Sequence, residues 1–288
     1  MKSSIIKEKI MQAVFLVAAC ASILAVALIC IFLFANGLPA MGKIGVFQFL
    51  FGTKWKPGND IYGIFPMILG SIYVTAGAVV IGVPVGILTS VFMAEYCPEK
   101  IYKPLKSATE LLAGIPSIVY GFFGLVVLVP LIRSAFPGKT NGSSILTSSI
   151  LLGMMILPTI IGVTESSLRT VPRQYFEGAL ALGATKERSI FTVMIPAAKS
   201  GIMAGVVLGV GRAIGETMAV MMVAGNQARV PDSILQGVRT LTTNIVLEMG
   251  YATGLHREAL IATAVVLFIF ILIINFTIAC LNNRKGDA

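Results

Sequence analysis

The chain has 288 residues, 56% of them hydrophobic and 12% charged, with a formal net charge of +9 and a mean hydropathy of +0.90. A soluble domain carries roughly 25% charged residues, so this composition leaves too little polar surface for a water-soluble fold. The basic residues are scattered without an aromatic-interleaved patch, which argues against a nucleic-acid partner and for lysines and arginines gathered on one side of a membrane.

Six stretches reach the roughly 20 apolar residues that a membrane span requires: 10–34, 64–94, 107–132, 145–164, 200–224 and 258–281. The sequence therefore predicts an all-α integral membrane protein. Residues 1–63 read as an N-terminal span with an outer interfacial segment, and 64–288 as a core of five spans. The start resembles a secretion signal, with Lys2, Lys7 and Lys9 before an apolar run and a lipoprotein-like box at Val17-Ala18-Ala19-Cys20. The run continues to Phe34, too long for a cleavable core, so an anchor is expected. Phe47, Phe49, Leu50, Phe51 and Trp55 in the outer segment suit the membrane interface.

The second span holds Pro66 and Pro84, which predict a kink or an interfacial lead-in. In the third, Pro116 removes a backbone donor, and Ser117 and Tyr120 offer hydroxyls to carbonyls freed mid-helix. Two readings stand for this stretch: a kinked packing helix, or a broken helix beside a substrate path.

Between the fourth and fifth spans lies the polar loop 165–199. Tyr175, Phe176, Ala179, Leu180 and Leu182 recur at helical spacing, Gly183 suits a left-handed helix end, and Pro196 suits the start of the next helix. Helix, turn, helix is expected. On physics alone the apolar face rests on lipid or docks against a partner.

The fifth span reads GIMAGVVLGVGRAIGETMAVMMVAG. Gly201, Gly205 and Gly209 predict close helix packing. On a continuous helix they share a sector of about 80° with Arg212 and Glu216. Ionisable groups in lipid are costly and face a polar interior. Spaced i, i+4, the two form either a structural ion pair or the lining of an anion pathway, in which the arginine fork meets oxyanion oxygens. They are the ionisable residues read as lying deep in a span, without a catalytic partner, so an intramembrane enzyme has little support.

Other features read as neutral. Gly138-Lys139-Thr140 ends like a phosphate-binding loop, but Arg133 stands at the first glycine position. Gly209-Val210-Gly211 begins a dinucleotide fingerprint that Ile214 breaks. His256 reads as an outer-surface residue. With Cys20, Cys30, Cys97 and Cys280 it forms no metal-ligand spacing, and the cysteines form no CxxC pair.

With both termini inside, Lys2, Lys7, Lys9, Lys100, Lys103, Lys106, Arg169, Arg173, Lys186, Arg188, Lys199, Arg284 and Lys285 lie on the inner side. They outnumber Lys43, Lys54, Lys56, Arg133, Lys139, Arg229, Arg239 and Arg257 on the outer side, which sets the predicted orientation.

The loop closely resembles the EAA motif of importer membrane subunits, written EAA, three residues, G, nine residues, I, any, LP. Glu177, Ala179, Gly183 and Pro196 match it, Gly178 replaces an alanine, and Val193 and Ile195 stand for isoleucine and leucine. AGIPSIVYGFFGL (113–125), the loop 172–202 and GRAIGETMAV (211–220) are similar to the membrane subunits of high-affinity phosphate importers, the C-type form more than the A-type. The resemblance implies a type I ATP-binding-cassette importer permease in a bacterial-type inner membrane. Its coupling helix would engage an ATPase through Glu177, Ala179, Gly183, Ala184, Lys186 and Pro196. It implies as partners a homologous second permease, an ATPase dimer and an extracytoplasmic phosphate-binding protein, besides membrane lipid. It further implies no cofactor on this chain, with ATP and Mg2+ in the ATPase. Sulfate, molybdate and phosphonate remain alternative cargoes, and a passive channel would not need the loop.

Overall fold

The structure is a computed structural model that describes residues 2–283 and, within them, the side chains of 7–277. The Lys2 and Cys280 side chains, and Arg284 and Lys285, lie outside what it describes. Among the described residues, five helices are long and apolar enough to cross a membrane, and a sixth counts if a helix pair bent by 70°, Lys186–Ala197 and Lys199–Gly215, is taken as one span.

The first helix, α1 (Lys2–Ile44), extends well past the predicted span and takes in the first part of the outer segment. It packs along α14 (Gly254–Asn283), where Gly37 leaves no room for a side chain: a Cβ there would sit 2.6 Å from Val265 Cγ2 and 3.2 Å from Ala262 Cα. Phe34 meets Phe268 edge-on at 6.0 Å. Most of the helix before Gly37 is exposed apolar surface, as lipid requires.

The outer segment then forms α2 (Val46–Phe51) and a two-residue antiparallel hairpin, β1 (Trp55–Lys56) with β2 (Ile61–Tyr62), a small departure from an all-helical fold. Phe47 and Phe51 are exposed as the interface predicts, whereas Phe49 and Trp55 are buried. Trp55 is held by a hydrogen bond from Nε1 to Glu248 Oε2 at 2.8 Å.

The core is built on α3 (Phe65–Val91) and α7 (Ile145–Thr170). Pro66 starts α3, where its missing N–H costs nothing, and the helix runs on through Pro84. At Gly82 a Cβ would fall 2.8 Å from both the Gly153 carbonyl and Ile156, so the two helices approach backbone to backbone. Ile156 and Ile160 of α7 are fully buried. A five-residue π-helical bend, Phe92–Tyr96, closed by Cys97 N–H donating to the Phe92 carbonyl at 2.8 Å, ends the second span.

The third span is shorter than its hydropathy implies. Residues 99–114 form a separate amphipathic helix, α4 (Glu99–Gly114), and the span starts after Ile115-Pro116 as α5 (Ser117–Phe123). It continues through a π-helical turn (Gly124–Leu128) into α6 (Val129–Ala135). Pro116 therefore lies in a break between helices and not within one. Ser144 caps α7 by accepting from the Thr147 N–H at 3.3 Å.

After α7 come α8 (Arg173–Ala181), α9 (Lys186–Ser189), a π-helical turn (Ile190–Met194) and α10 (Ile195–Ala197). Pro196 closes this run instead of opening the fifth span, which begins at Lys199 beyond the bend. That span is itself interrupted: α11 (Lys199–Gly215) stops at Glu216, and the chain resumes helix as α12 (Met218–Val223). A short α13 (Leu241–Met249) caps the side that carries the hairpin.

Glu248 of α13 holds this hairpin-side cap together. Besides Trp55 it pairs with His256 Nε2 at 2.8 Å and accepts from Arg239 Nη1 at 2.5 Å. His256 is thus a half-buried network member, packed against the rings of Trp55, Tyr62 and Tyr251, and not a plain surface residue. Burial favours the neutral carboxyl of Glu248, but the donors from Trp55, His256 and Arg239 outweigh it and hold its pKa below the usual carboxylate range. A lowered folded pKa gives stability that is complete above the unfolded value of about 4.3 and fades as pH falls through the folded one. Removing one partner of such a buried cluster costs about 3 kcal/mol. The Tm gap between the parent and Glu248→Gln in detergent should therefore be constant from about pH 6 to 8 and close below about pH 4. A gap that persists unchanged at low pH would contradict this assignment.

Candidate transport pathway and coupling face

Two interrupted spans meet near the centre of the molecule. At the first break, Ile115 and Pro116 are extended (ψ 125° and 142°), which ends α4 and leaves carbonyls without helical partners. The buried Tyr120 hydroxyl donates to one of them, the Leu112 carbonyl, at 2.9 Å, so the phenol staples α4 to α5. Ser117 starts the half-helix and is half-buried.

At the second break Glu216 is extended (ψ 131°), and its carboxylate accepts from the backbone N–H groups of Thr217 and Ala219, both at 3.1 Å. Glu216 thereby caps α12, a favourable place for negative charge. The Thr242 hydroxyl donates to the Glu216 carbonyl at 3.1 Å and fixes the break from outside. Non-helical backbone at membrane depth persists only where protein or a water-filled cavity satisfies it. The two half-helices touch: a Cβ on Gly121 of α5 would fall 2.7 Å from Met222 Sδ and 3.0 Å from Ala219 Cα of α12.

Arg212 lies in the last turn of α11, half-buried and one turn before the break. Because the helix ends before Glu216, the i, i+4 ion pair of the first of the two readings does not form. Arg212 has no ion-pair or hydrogen-bonding partner among the described residues, although the Tyr120 phenol lies within its electrostatic range. Next to it on the wheel the surface opens through Leu208 and Gly215, both exposed. The structure brings Arg212, Tyr120 and the Glu216 break together without pairing the two charges.

The glycines of α11 face α7. Gly201 packs on Ser167, Gly205 on Thr164 and Val163, and Gly209 on Ile160. Arg212 therefore sits at the edge of a packed face.

On the opposite side of the membrane from the hairpin, α8 projects from the body. It has no buried residue: Leu182 just beyond it is 91% exposed, and Tyr175, Glu177 and Leu180 are exposed. Gly183 adopts φ +86°. The Ala184 N–H reaches back to the Ala179 carbonyl at 3.1 Å and the Gly183 N–H to Leu180 at 2.9 Å, which closes the helix end. Lys186 then starts α9, which the Thr185 hydroxyl caps by accepting from the Arg188 N–H at 3.3 Å.

Two buried carboxylates on this side escape the sequence reading. Glu165, inside α7 and 2% exposed, accepts from the Tyr102 hydroxyl at 2.8 Å, from Lys106 Nζ at 3.3 Å and from Arg169. So Arg212 and Glu216 are not the sole ionisable groups deep in a helix. Its i, i+4 spacing to Arg169 is the one local signal. The Glu95 side chain, also 2% exposed, pairs with Arg173 at 2.9 Å across 78 residues, a contact no local pattern announces.

With this geometry, the family profile described as "Binding-protein-dependent transport system inner membrane component" matches residues 82–286. The chain belongs to that family. It is 41% identical over 273 residues to the "Probable ABC transporter permease protein YqgH" of Bacillus subtilis, covering 91% of this chain and 88% of that protein. It is 37% identical over 265 residues to the "Phosphate transport system permease protein PstC" of Mesorhizobium japonicum, covering 85% and 81%. Among solved structures, it resembles a chain of a bacterial ABC transporter that imports alginate, with a TM-score of 0.59 at 14% identity over 93% of this chain and 96% of that one. A chain of the MetNI methionine transporter in an inward-facing form gives 0.56 at 20% identity, over 77% and 94%. These neighbours establish the fold, that of type I importer permeases, and the chain is a multi-pass membrane permease.

Overpacking a tight helix contact costs about 1–3 kcal/mol. Gly209→Leu, where a Cβ alone would already stand 2.9 Å from Ile160 Cγ1, should lower the Tm of the purified protein by several degrees, while Gly211→Ala, with nothing within 4 Å, should leave it unchanged. Equal effects at both positions would contradict the packing assigned to α11.

Proposed function

We propose that this chain is the membrane-spanning permease subunit of an ATP-driven importer of inorganic phosphate and moves the anion by alternating access. The observation that carries this is the helix α8, ending at Gly183 with Tyr175 and Leu180 exposed, in a chain whose relatives are transport permeases, several of them phosphate permeases. An apolar surface of Tyr175 and Leu180, continued by Leu182 just beyond the helix, suits a protein partner. The cleft of an ATPase subunit fits the motif Glu177, Ala179, Gly183, Ala184 and Lys186, and Pro196 ends the helix that returns from it.

In this proposal ATP and Mg2+ belong to the ATPase dimer, and this chain carries out no catalysis. A homologous second permease would complete the pathway, and an extracytoplasmic phosphate-binding protein would deliver cargo to the hairpin side. Both termini would face the cytoplasm. Residues 1–63 would serve as anchor and outer cap and 64–288 as the transport core, with 165–199 as its coupling loop.

Arg212 supplies the charge complement of the cargo. An arginine without a counter-ion among the described residues, beside a broken span, keeps its fixed positive fork available to a tetrahedral oxyanion. Glu216 stays away from it by capping α12. Tyr120 holds the first break in shape, and Ser117 places a hydroxyl at the start of α5.

The test is uptake of labelled phosphate into liposomes that bear the complete complex, with ATP enclosed. Uptake should require ATP, resist excess sulfate and molybdate, and fall at least tenfold with Arg212→Gln, a loss of about 1.4 kcal/mol or more in transition-state stabilisation. ATP-driven uptake of a different oxyanion would overturn the phosphate assignment. Flux without ATP would overturn the permease mechanism, and full uptake by Arg212→Gln would remove Arg212 from the pathway.

A further inference from the structure

We infer that the π-helical bend Phe92–Tyr96 receives the motion of the coupling loop and relays it through α4 to the half-helix at Ser117. The inference rests on α8 being the ATPase-docking helix. Three cations from one side of the molecule close on these few residues. Arg169, at the end of α7, donates from Nη2 to the Met93 carbonyl at 3.0 Å. Arg173, the first residue of α8, pairs with the Glu95 carboxylate at 2.9 Å. Lys186, the first residue of α9, stands 4.4 Å from the centre of the Tyr96 ring. The starts of α8 and α9 thus each hold one residue of the bend.

The bend is suited to the task. A π-helical turn has an expanded ring of hydrogen bonds and marks functional sites more often than regular helix does. Glu95 is 98% covered at its side chain, since 2% is exposed, so releasing Arg173 would leave a buried charge uncompensated. The pair therefore favours moving as a unit. A cavity of about 530 Å³ lined by Glu95, Cys97, Glu99, Lys103 and Arg173 lies alongside and gives the group room to shift.

Beyond the bend the path is short. Cys97-Pro98 leads into α4, whose Tyr102 and Lys106 grip Glu165 of α7. The far end of α4 is stapled to α5 by the Tyr120 bond to Leu112. From α5, Gly121 rests on Ala219 of α12, just past the break that follows Arg212. Each joint is a named contact, and the path runs along the end of α7, touching it at Glu165 and Arg169, on its way to both broken spans.

Glu95 and Arg173 are positioning residues in this scheme, and charge exchange tests them. In the complete reconstituted complex, Glu95→Arg and Arg173→Glu should each cut phosphate uptake at least tenfold. ATP hydrolysis and ATPase co-purification should stay within twofold of the parent. Arg173→Lys should keep uptake within threefold, and the double exchange Glu95→Arg with Arg173→Glu should restore at least half of it. Single reversals that leave uptake within twofold would overturn the inference, as would a double exchange that assembles and hydrolyses ATP without recovering uptake. Loss of ATPase co-purification in Arg173→Glu alone, unrestored by the exchange, would put Arg173 in the docking surface and overturn its role on the bend. A parent chain that fails to retain the ATPase would overturn the docking assignment of α8 itself, and the relay with it.

Discussion

Every polar backbone group at membrane depth must find a partner, and this constraint governs the architecture around Arg212. Continuous helices meet it internally. The two interrupted spans meet it with particular side chains: Tyr120 on the Leu112 carbonyl, the Glu216 carboxylate on the N–H groups of Thr217 and Ala219, and Thr242 on the Glu216 carbonyl. Because Glu216 is occupied as a cap, Arg212 keeps its charge unpaired among the described residues. Because the two breaks adjoin, α5 and α12 pack tightly enough that Gly121 has no space for a side chain. The unpaired charge and the close half-helix contact both follow from where the helices stop.

Around this centre the molecule divides into parts of different rigidity. The α3–α7 pair, glycine against carbonyl and isoleucine, forms a fixed spine. The cap on the hairpin side is tied by one carboxylate, Glu248, to a tryptophan, a histidine and an arginine drawn from three separate segments. The opposite face is built from charge pairs around Glu165 and Glu95 and leaves α8 uncovered.

Much of this was legible in the sequence. Positions of five spans, the helix–turn–helix of the loop and the left-handed Gly183 all followed from apolar periodicity and from the one residue type that tolerates positive φ. The span at 107–132 was misplaced because Leu111, Leu112 and Ala113 lend the end of α4 enough hydropathy to merge with α5, although Pro116 marks the true boundary. The break at Glu216 carries no local signal. GRAIGETMAV contains no proline, and a continuous helix would have paired Arg212 with Glu216. Capping of α12 and the Thr242 bond, made from 26 residues away, decide against that helix. The Glu95–Arg173 pair and the role of His256 likewise depend on contacts between distant segments, which a linear pattern does not encode.

The central claim is that the end of α11 opens onto a hydrated path whose local potential is set by Arg212. Thiol reactivity at Gly215, the exposed residue at that end, reports on it directly. In the assembled transporter, with the four native cysteines replaced, Gly215→Cys should react at least tenfold faster with water-soluble reagents than Ile273→Cys, which lies on the exposed apolar face of α14. An anionic sulfonate reagent should outpace a cationic one, and Arg212→Gln should abolish that preference. A Gly215→Cys that reacts no faster than Ile273→Cys, or that favours the cationic reagent with Arg212 in place, would contradict the account.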